Sequence, residues 1–229
     1  MHAEGFHQLR VWFRKTGNAK YISHLDLNRC MLRAVRRAHI PLWYTEGFNP
    51  HPYITFALPL SLGHESEAEP MDIRIEGEME NSEVKARLAG VMPLGIEITE
   101  VCDAQSDAKE ISYAEYEIQL DFDNKGEAEQ FTEKAKDLLA GGELKAEKSG
   151  KQGRQKVMKQ VALKDFIFGY DVSSTDCKVL LNFTLSAGNT SNLNPVLILE
   201  SLSSATGMAV KPDKIVRKRL LKADFEVFR

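Results

Sequence analysis

The chain has 229 residues, of which 43% are hydrophobic and 28% charged, and its formal net charge at pH 7 is −3. This is the composition of a globular protein with one large or two small domains, long enough to fold without disulfide staples. The three cysteines, Cys30, Cys102 and Cys177, lie more than 70 residues apart, which excludes a CxxC redox pair, a zinc ribbon and a locally spaced iron–sulfur cluster.

The first half of the chain alternates strand-like and helical segments. Strands are predicted at 8–13, 42–45, 53–60, 71–76 and 96–101. Apolar residues at 3.6-residue spacing predict a helix over 23–38, with Ser23 as its N-cap and Asp26 completing an approximate capping box. A second helix is predicted over 82–91.

The second half repeats this order. Strands are predicted at 113–122, 178–185 and 214–221, and helices at 127–139 and 195–203, the latter capped by Asn194 with Pro195 at its first position. The segment 148–159 has no apolar period and is predicted to be a mobile loop. Each half approximates βαββαβ, so we predict an α+β fold of tandem ferredoxin-like halves, with mostly antiparallel sheets and domains at 1–104 and 110–229.

Positive charge is concentrated near the N-terminus. Between His7 and Tyr44 there are eight lysines and arginines against one acid, whereas residues 65–137 carry 21 acids against seven bases. Arg29, Arg33 and Arg36 share one face of the predicted helix, and Arg37 borders it. With Lys20 and Arg154 added, these residues are the candidate contacts for an anion or nucleic acid. The alternative is that the arginines pair with Asp26 and with the acidic part of the chain.

A loop with two prolines follows this helix. Gly47 allows a positive φ, and Pro50 and Pro52 fix the backbone, so the loop presents Glu46, Phe48, Asn49 and His51 in a rigid frame. The alternative is a plain structural turn.

No catalytic motif accompanies these residues. His24 and His51 are candidates for acid–base chemistry, but nothing in the sequence shows that they meet, so neither a catalytic residue nor a metal site is predicted. The sequence has no Walker A, GxGxxG, HExxH or GxSxG motif. No apolar run approaches the roughly 18 residues of a membrane span. With the odd cysteine count and no signal peptide, these features predict a cytoplasmic protein without a membrane partner.

Several of these segments together resemble the radical SAM-associated family, a bacterial domain of unknown function. The resemblance lies in Tyr21-Ile22-Ser23-His24-Leu25-Asp26, the four arginines, Glu46-Gly47-Phe48-Asn49-Pro50-His51-Pro52 and Phe56-Ala57-Leu58-Pro59-Leu60. It implies a cobalamin-type radical SAM enzyme as partner, which would use S-adenosylmethionine and an iron–sulfur cluster, with cobalamin as a further candidate. The chain lacks the three-cysteine motif of those enzymes, so it is expected to bind none of these cofactors.

Three functions remain open. The first is an accessory protein that binds an anionic substrate, RNA or a ribonucleoprotein, through the basic face and presents it to the radical SAM partner. The second is a scaffold that docks on that partner. The third is a metal-independent RNA endonuclease in which His24 or His51 is the general base. A fold-level resemblance of tandem ferredoxin-like halves to RAMP-type CRISPR RNA-processing proteins favours RNA, although fold alone does not imply function.

Overall fold

In the computed structural model, which describes residues 5–152, 155–188 and 191–229, the chain divides into two units. The N-terminal unit consists of Met1–Glu110 and Val227–Arg229, and the C-terminal unit of Ile111–Glu226. The last three residues therefore belong to the first unit, not to the half to which the sequence assigned them. Within the described ranges, no helix has the length and apolar character needed to cross a bilayer.

The N-terminal unit is a sheet with two helices. Its elements are β1 (Phe6–Lys15), α1 (His24–Arg37), β2 (Ile54–Phe56), β3 (Glu65–Glu76), α2 (Asn81–Ala89) and β4 (Ile96–Asp103). β1 lies between β3 and β4, β2 pairs with β3, and all of these pairings are antiparallel. The register sets Leu9 opposite Ile73 and Val11 opposite Met71, so alternate residues of both strands face the core.

That core forms where the helices cover the sheet. Leu27, Met31 and Val35 of α1 recur at helical spacing and are buried with strand residues such as Leu9, Val11, Phe13, Met71, Ile73 and Ile75. Val84 and Leu88 of α2 complete the cluster. Because these apolar faces are what fix the helices, α1 presents its opposite, polar face to solvent.

A second buried layer contains an ion pair. Arg10 and Asp72 are directly opposed across β1 and β3. The guanidinium donates to both carboxylate oxygens, at 2.7 and 2.9 Å, and to the Ser106 carbonyl at 2.8 Å. The Phe228 ring lies 4.5 Å from the guanidinium carbon and 6.1 Å from Trp12. The returning C-terminal residues thus cover a face of the strand that alternation alone would leave exposed.

Two predicted strands of this half are shorter in the structure. Segment 42–45 contributes only the isolated bridges of Leu42 to Ile75 and Tyr44 to Pro52, and segment 53–60 contributes only β2. Proline has no N–H to donate to a strand ladder. Pro41, Pro50 and Pro52 flank the two segments and Pro59 lies inside the second, which limits how far the ladders extend.

The C-terminal unit contains β5 (Tyr113–Asp121), α3 (Lys125–Gly141), β6 (Lys145–Gln152), β7 (Gln155–Ala162), β8 (Ile167–Thr175), β9 (Lys178–Ser186), α4 (Pro195–Thr206) and β10 (Pro212–Leu221). Its sheet has the antiparallel order β10-β5-β9-β8. The predicted Asn194 cap is confirmed, because its Oδ1 accepts from Val196 N at 3.0 Å. The α+β class and the mostly antiparallel pairing are confirmed as well.

One prediction for this unit is wrong. The described residues of segment 148–159, namely 148–152 and 155–159, are strand and not loop, because β6 and β7 pair antiparallel with Lys145 opposite Ala162. Its polar composition hid the strands from a search based on apolar alternation. Strand β8 was not predicted, because most of its residues are exposed or half-buried and only one is buried.

Candidate functional site

The start of α1 is held by a closed network of three side chains. Ser23 Oγ accepts from the Asp26 N–H at 3.2 Å and donates to Asp26 Oδ2 at 2.8 Å, and Arg29 Nη1 donates to Asp26 Oδ1 at 3.1 Å. The Ser23 hydroxyl and then the Arg29 guanidinium lower the pKa of the Asp26 carboxyl from its ordinary value of 3.8. Ser23 therefore caps the helix, as predicted. Asp26 accepts from the Ser23 hydroxyl and not from the Ser23 N–H that a capping box requires, and it partly neutralises Arg29.

The four predicted arginines of α1 are all exposed, but they differ in their partners. Arg36 Nη2 donates to the Tyr44 hydroxyl at 3.1 Å, and Arg37 Nη2 donates to the Val91 carbonyl at 3.0 Å. Both stand in the last turn, where the helix dipole favours cations. Arg33 stands in mid-helix and, within the part of the chain that the structure describes, has neither an ion pair nor a hydrogen-bond partner.

A fifth arginine, which the sequence argument missed, extends this surface. Arg87 of α2 donates to the His39 carbonyl at 3.1 Å, just beyond the end of α1, and also pairs with Glu83. Lys20 lies before the helix with its Nζ 5.4 Å from the Tyr21 ring. No sequence signal could have placed Arg87 here, since the approach of the two helix ends is tertiary. We call Arg29, Arg33, Arg36, Arg37 and Arg87 the basic surface.

The predicted loop is closed by main-chain contacts. Thr45 N donates to the His51 carbonyl at 2.9 Å, and Tyr53 N donates to the Trp43 carbonyl at 3.1 Å. Gly47 has φ +123°, which a residue with a Cβ rarely adopts. The next residue, Phe48, is fully exposed. The loop is therefore pre-shaped, and the Phe48 side chain at its tip is not buried against the rest of the chain.

His51 is fixed in one orientation inside this loop. Its Nδ1 lies 3.2 Å from the Asn49 carbonyl and 3.0 Å from Thr45 Oγ1, while its main-chain N–H donates to the same Thr45 oxygen at 3.2 Å. A carbonyl can only accept, so we assign the proton to Nδ1. That tautomer leaves Nε2 as an acceptor with no partner among the described residues. Sequence reasoning did not find Thr45, because only the closed loop brings it to His51.

Arg74 fixes the base of the loop to the sheet. Its guanidinium carbon lies 4.1, 5.4 and 4.0 Å from the rings of Phe6, Trp43 and Tyr53, respectively. Its main chain also holds both sides of the loop, because Trp43 N donates to the Arg74 carbonyl at 2.9 Å and Arg74 N donates to the Tyr53 carbonyl at 3.3 Å. The Arg36–Tyr44 hydrogen bond then connects the loop to the basic surface.

The structure does not bring the two candidate histidines together. His24 packs edge-on against Phe56, with ring centroids 5.2 Å apart, and within the described residues no hydrogen bond or ring contact joins it to His51. Within those residues, no group of three or more His, Cys, Asp or Glu side chains is placed to hold a metal ion. Arg154 lies outside the described residues.

Comparison with known proteins gives the family. The family described as "Uncharacterized protein conserved in bacteria (DUF2344)" matches residues 8–195. The chain belongs to this family. No curated protein matches this DUF2344 chain in sequence.

Two solved structures are similar in fold. One is the crystal structure of a Cbf5-Nop10-Gar1 complex, with 9% identity and a TM-score of 0.51 over 93% of this chain and 48% of the matched chain. The other, the archaeal box H/ACA sRNP Nop10-Cbf5 complex, has 11% identity and a TM-score of 0.41 over 83% and 42%. The DUF2344 chain thus spans about half of the matched proteins. At this identity the first likeness concerns the fold alone, and the second carries no argument. Neither says anything about a radical SAM partner.

Proposed function

We propose that this DUF2344 protein is a non-catalytic accessory module that binds RNA through the basic surface and the adjoining loop. The observation that carries the proposal is that Arg33 is exposed in mid-helix and has no partner among the described residues. Arg29 has Asp26 as partner, and Arg36 and Arg37 gain from the helix terminus and from hydrogen bonds, but none of these explanations covers a mid-helix guanidinium beside two others. An anion at this face would compensate the mutual repulsion of the arginines.

The length of the arginine row favours a polyanion over a single phosphate. At 1.5 Å per residue, Arg29 and Arg36 are separated by about 10 Å along the helix. A row of that length suits successive phosphates of one strand, and arginine is the side chain best suited to phosphate contacts.

Charge reversal at Arg33 tests this directly. We expect Arg33→Glu to weaken binding of a fluorescein-labelled single-stranded RNA of mixed sequence by about 10-fold or more, the loss expected for one charge-assisted contact. Lys136→Glu is the matched control, since Lys136 is exposed on α3 of the other unit and undergoes the same charge change. Equal affinities of wild type, Arg33→Glu and Lys136→Glu, measured by fluorescence anisotropy, would refute the proposal.

A second candidate is docking of this face on a protein partner. Leu25, on the same side of α1 as Arg29, is 70% exposed, and Tyr21 is exposed just before the helix. Protein interfaces are enriched in aromatic residues and arginine. The sequence resemblance names a radical SAM enzyme as that partner, and such an enzyme would supply S-adenosylmethionine and the cluster. Affinity purification of the tagged chain, with and without ribonuclease, distinguishes the two functions, because only a docking scaffold retains its partner independently of RNA.

The finer fold assignment is part of the same proposal. In the N-terminal unit β1 lies between β3 and β4, and in the C-terminal unit β5 lies between β9 and β10. With the β6–β7 hairpin set aside, both units run βαββαβ in sequence, which supports two ferredoxin-like halves. The endonuclease hypothesis gains no support, because among the described residues neither His24 nor His51 is hydrogen-bonded to a carboxylate, a lysine or the other histidine.

A further inference from the structure

We infer that the loop over residues 44–52 reads an unpaired nucleotide: Phe48 stacks on its base, Asn49 and His51 contact the base edge, and the basic surface holds the flanking phosphates. This inference rests on the proposed function, because it takes the anion at the basic surface to be RNA. It adds which part of the RNA is recognised and by which atoms.

The loop holds an exposed aromatic ring, that of Phe48, in a closed frame. A phenylalanine that is fully exposed gains nothing from the hydrophobic effect. The loop around it is nevertheless closed by the Thr45–His51 and Trp43–Tyr53 main-chain bonds and contains a glycine at φ +123°. A frame that holds one aromatic ring in solvent is pre-organised for a flat ligand, which reduces the ordering cost of binding.

Two polar side chains, Asn49 and His51, follow Phe48 in the same loop. His51 presents Nε2 as a fixed acceptor, because Nδ1–H is directed to the Asn49 carbonyl. The Asn49 side-chain amide offers a donor and an acceptor, and among the described residues it has no partner within the chain. Single-stranded RNA is recognised by stacking on aromatic side chains and by hydrogen bonds to the base edges. Phe48, Asn49 and His51 supply both kinds of contact.

Positive charge lies along α1 and not in the loop. The loop itself carries Glu46 and no lysine or arginine, so it does not favour a phosphate. The guanidinium of Arg36 stands at its base, hydrogen-bonded to the Tyr44 hydroxyl at 3.1 Å. Phosphates are thus favoured along α1 and a neutral base is favoured at the loop tip. An RNA strand has both kinds of group, since its phosphates are charged and its bases are neutral.

The test compares one labelled RNA strand alone and annealed to its complement. A purely electrostatic surface favours the duplex, whose charge density is higher. We expect the wild type to prefer the single strand and Phe48→Ala to lose about 5- to 150-fold of single-strand affinity, with duplex affinity unchanged. Phe48→Tyr should restore the preference. Leu94→Ala, which removes an almost fully exposed apolar side chain from the same unit, is the control and should have no effect.

The outcomes distinguish failure of the inference about the loop from failure of the proposed function. If Arg33→Glu weakens binding of both RNAs and Phe48→Ala weakens neither, the inference about the loop is wrong and the proposed function stands. If Arg33→Glu weakens neither RNA, the proposed function is wrong and the inference falls with it. Loss of a co-purified protein from Phe48→Ala, with RNA binding intact, would assign the loop to protein docking and overturn the inference.

Discussion

Removal of the charge on Asp72 should destabilise the N-terminal unit strongly. Arg10 is fully buried, its guanidinium donates twice to Asp72, and one of its nitrogens, Nη1, already has no partner among the described residues. In Asp72→Asn the amide N–H faces a guanidinium N–H, and a buried cation is left without its counterion. Breaking such a pair costs about 3–5 kcal/mol, which corresponds to a fall in Tm of about 6–20 °C for a chain of this length.

The assay is urea and thermal unfolding followed by tryptophan fluorescence. Both tryptophans, Trp12 and Trp43, belong to the N-terminal unit, so the signal reports that unit. The double variant Arg10→Met/Asp72→Leu removes both charges at similar volume and should unfold within about 1 kcal/mol of the wild type. An Asp72→Asn variant as stable as the wild type, or a double variant no more stable than Asp72→Asn, would refute the assigned role of this ion pair.

Two further predictions concern a glycine and a carboxyl group. Gly95→Ala should destabilise the N-terminal unit by about 1–3 kcal/mol more than Gly17→Ala. Both glycines have positive φ, but a Cβ at 95 would lie 2.6 Å from the Thr16 carbonyl oxygen, whereas a Cβ at 17 meets open space. Equal urea midpoints for the two variants would contradict this. The pKa of Asp26 should lie below 3.8 in an NMR titration and should rise in Ser23→Ala and in Arg29→Gln, because each variant removes a cause that lowers it. Because the folded pKa is the lower one, its contribution to stability is present above pH 3.8 and is lost as the pH falls through the folded pKa. An Asp26 pKa that stays unchanged in either variant would contradict the assigned causes.

Features with local causes could be predicted from the sequence. The α1 helix, its Ser23 cap and the exposed arginines depend on spacing and capping, which a single segment contains. The helix α4, with Asn194 and Pro195 at its start, was predictable for the same reason.

Features with long-range causes could not be predicted. Arg10 and Asp72 are 62 residues apart and meet only through the register of β1 and β3. Phe228 reaches Trp12 only because the C-terminus returns to the first unit. The orientation of His51 depends on Thr45, which becomes its neighbour when the loop closes. In each case the contact depends on how distant segments pair or fold back on one another. The pattern of apolar residues along the sequence does not give that information.

The most direct test of the account is the salt dependence of RNA binding. The affinity for a single-stranded RNA is measured over a series of salt concentrations for the wild type and for the Arg29/Arg33/Arg36/Arg37→Gln variant. If each of the four arginines contacts a phosphate, the slope of log K against log[salt] becomes shallower by about 3 in the variant. Identical slopes for the two proteins would show that phosphates do not bind at this face and would contradict the central claim.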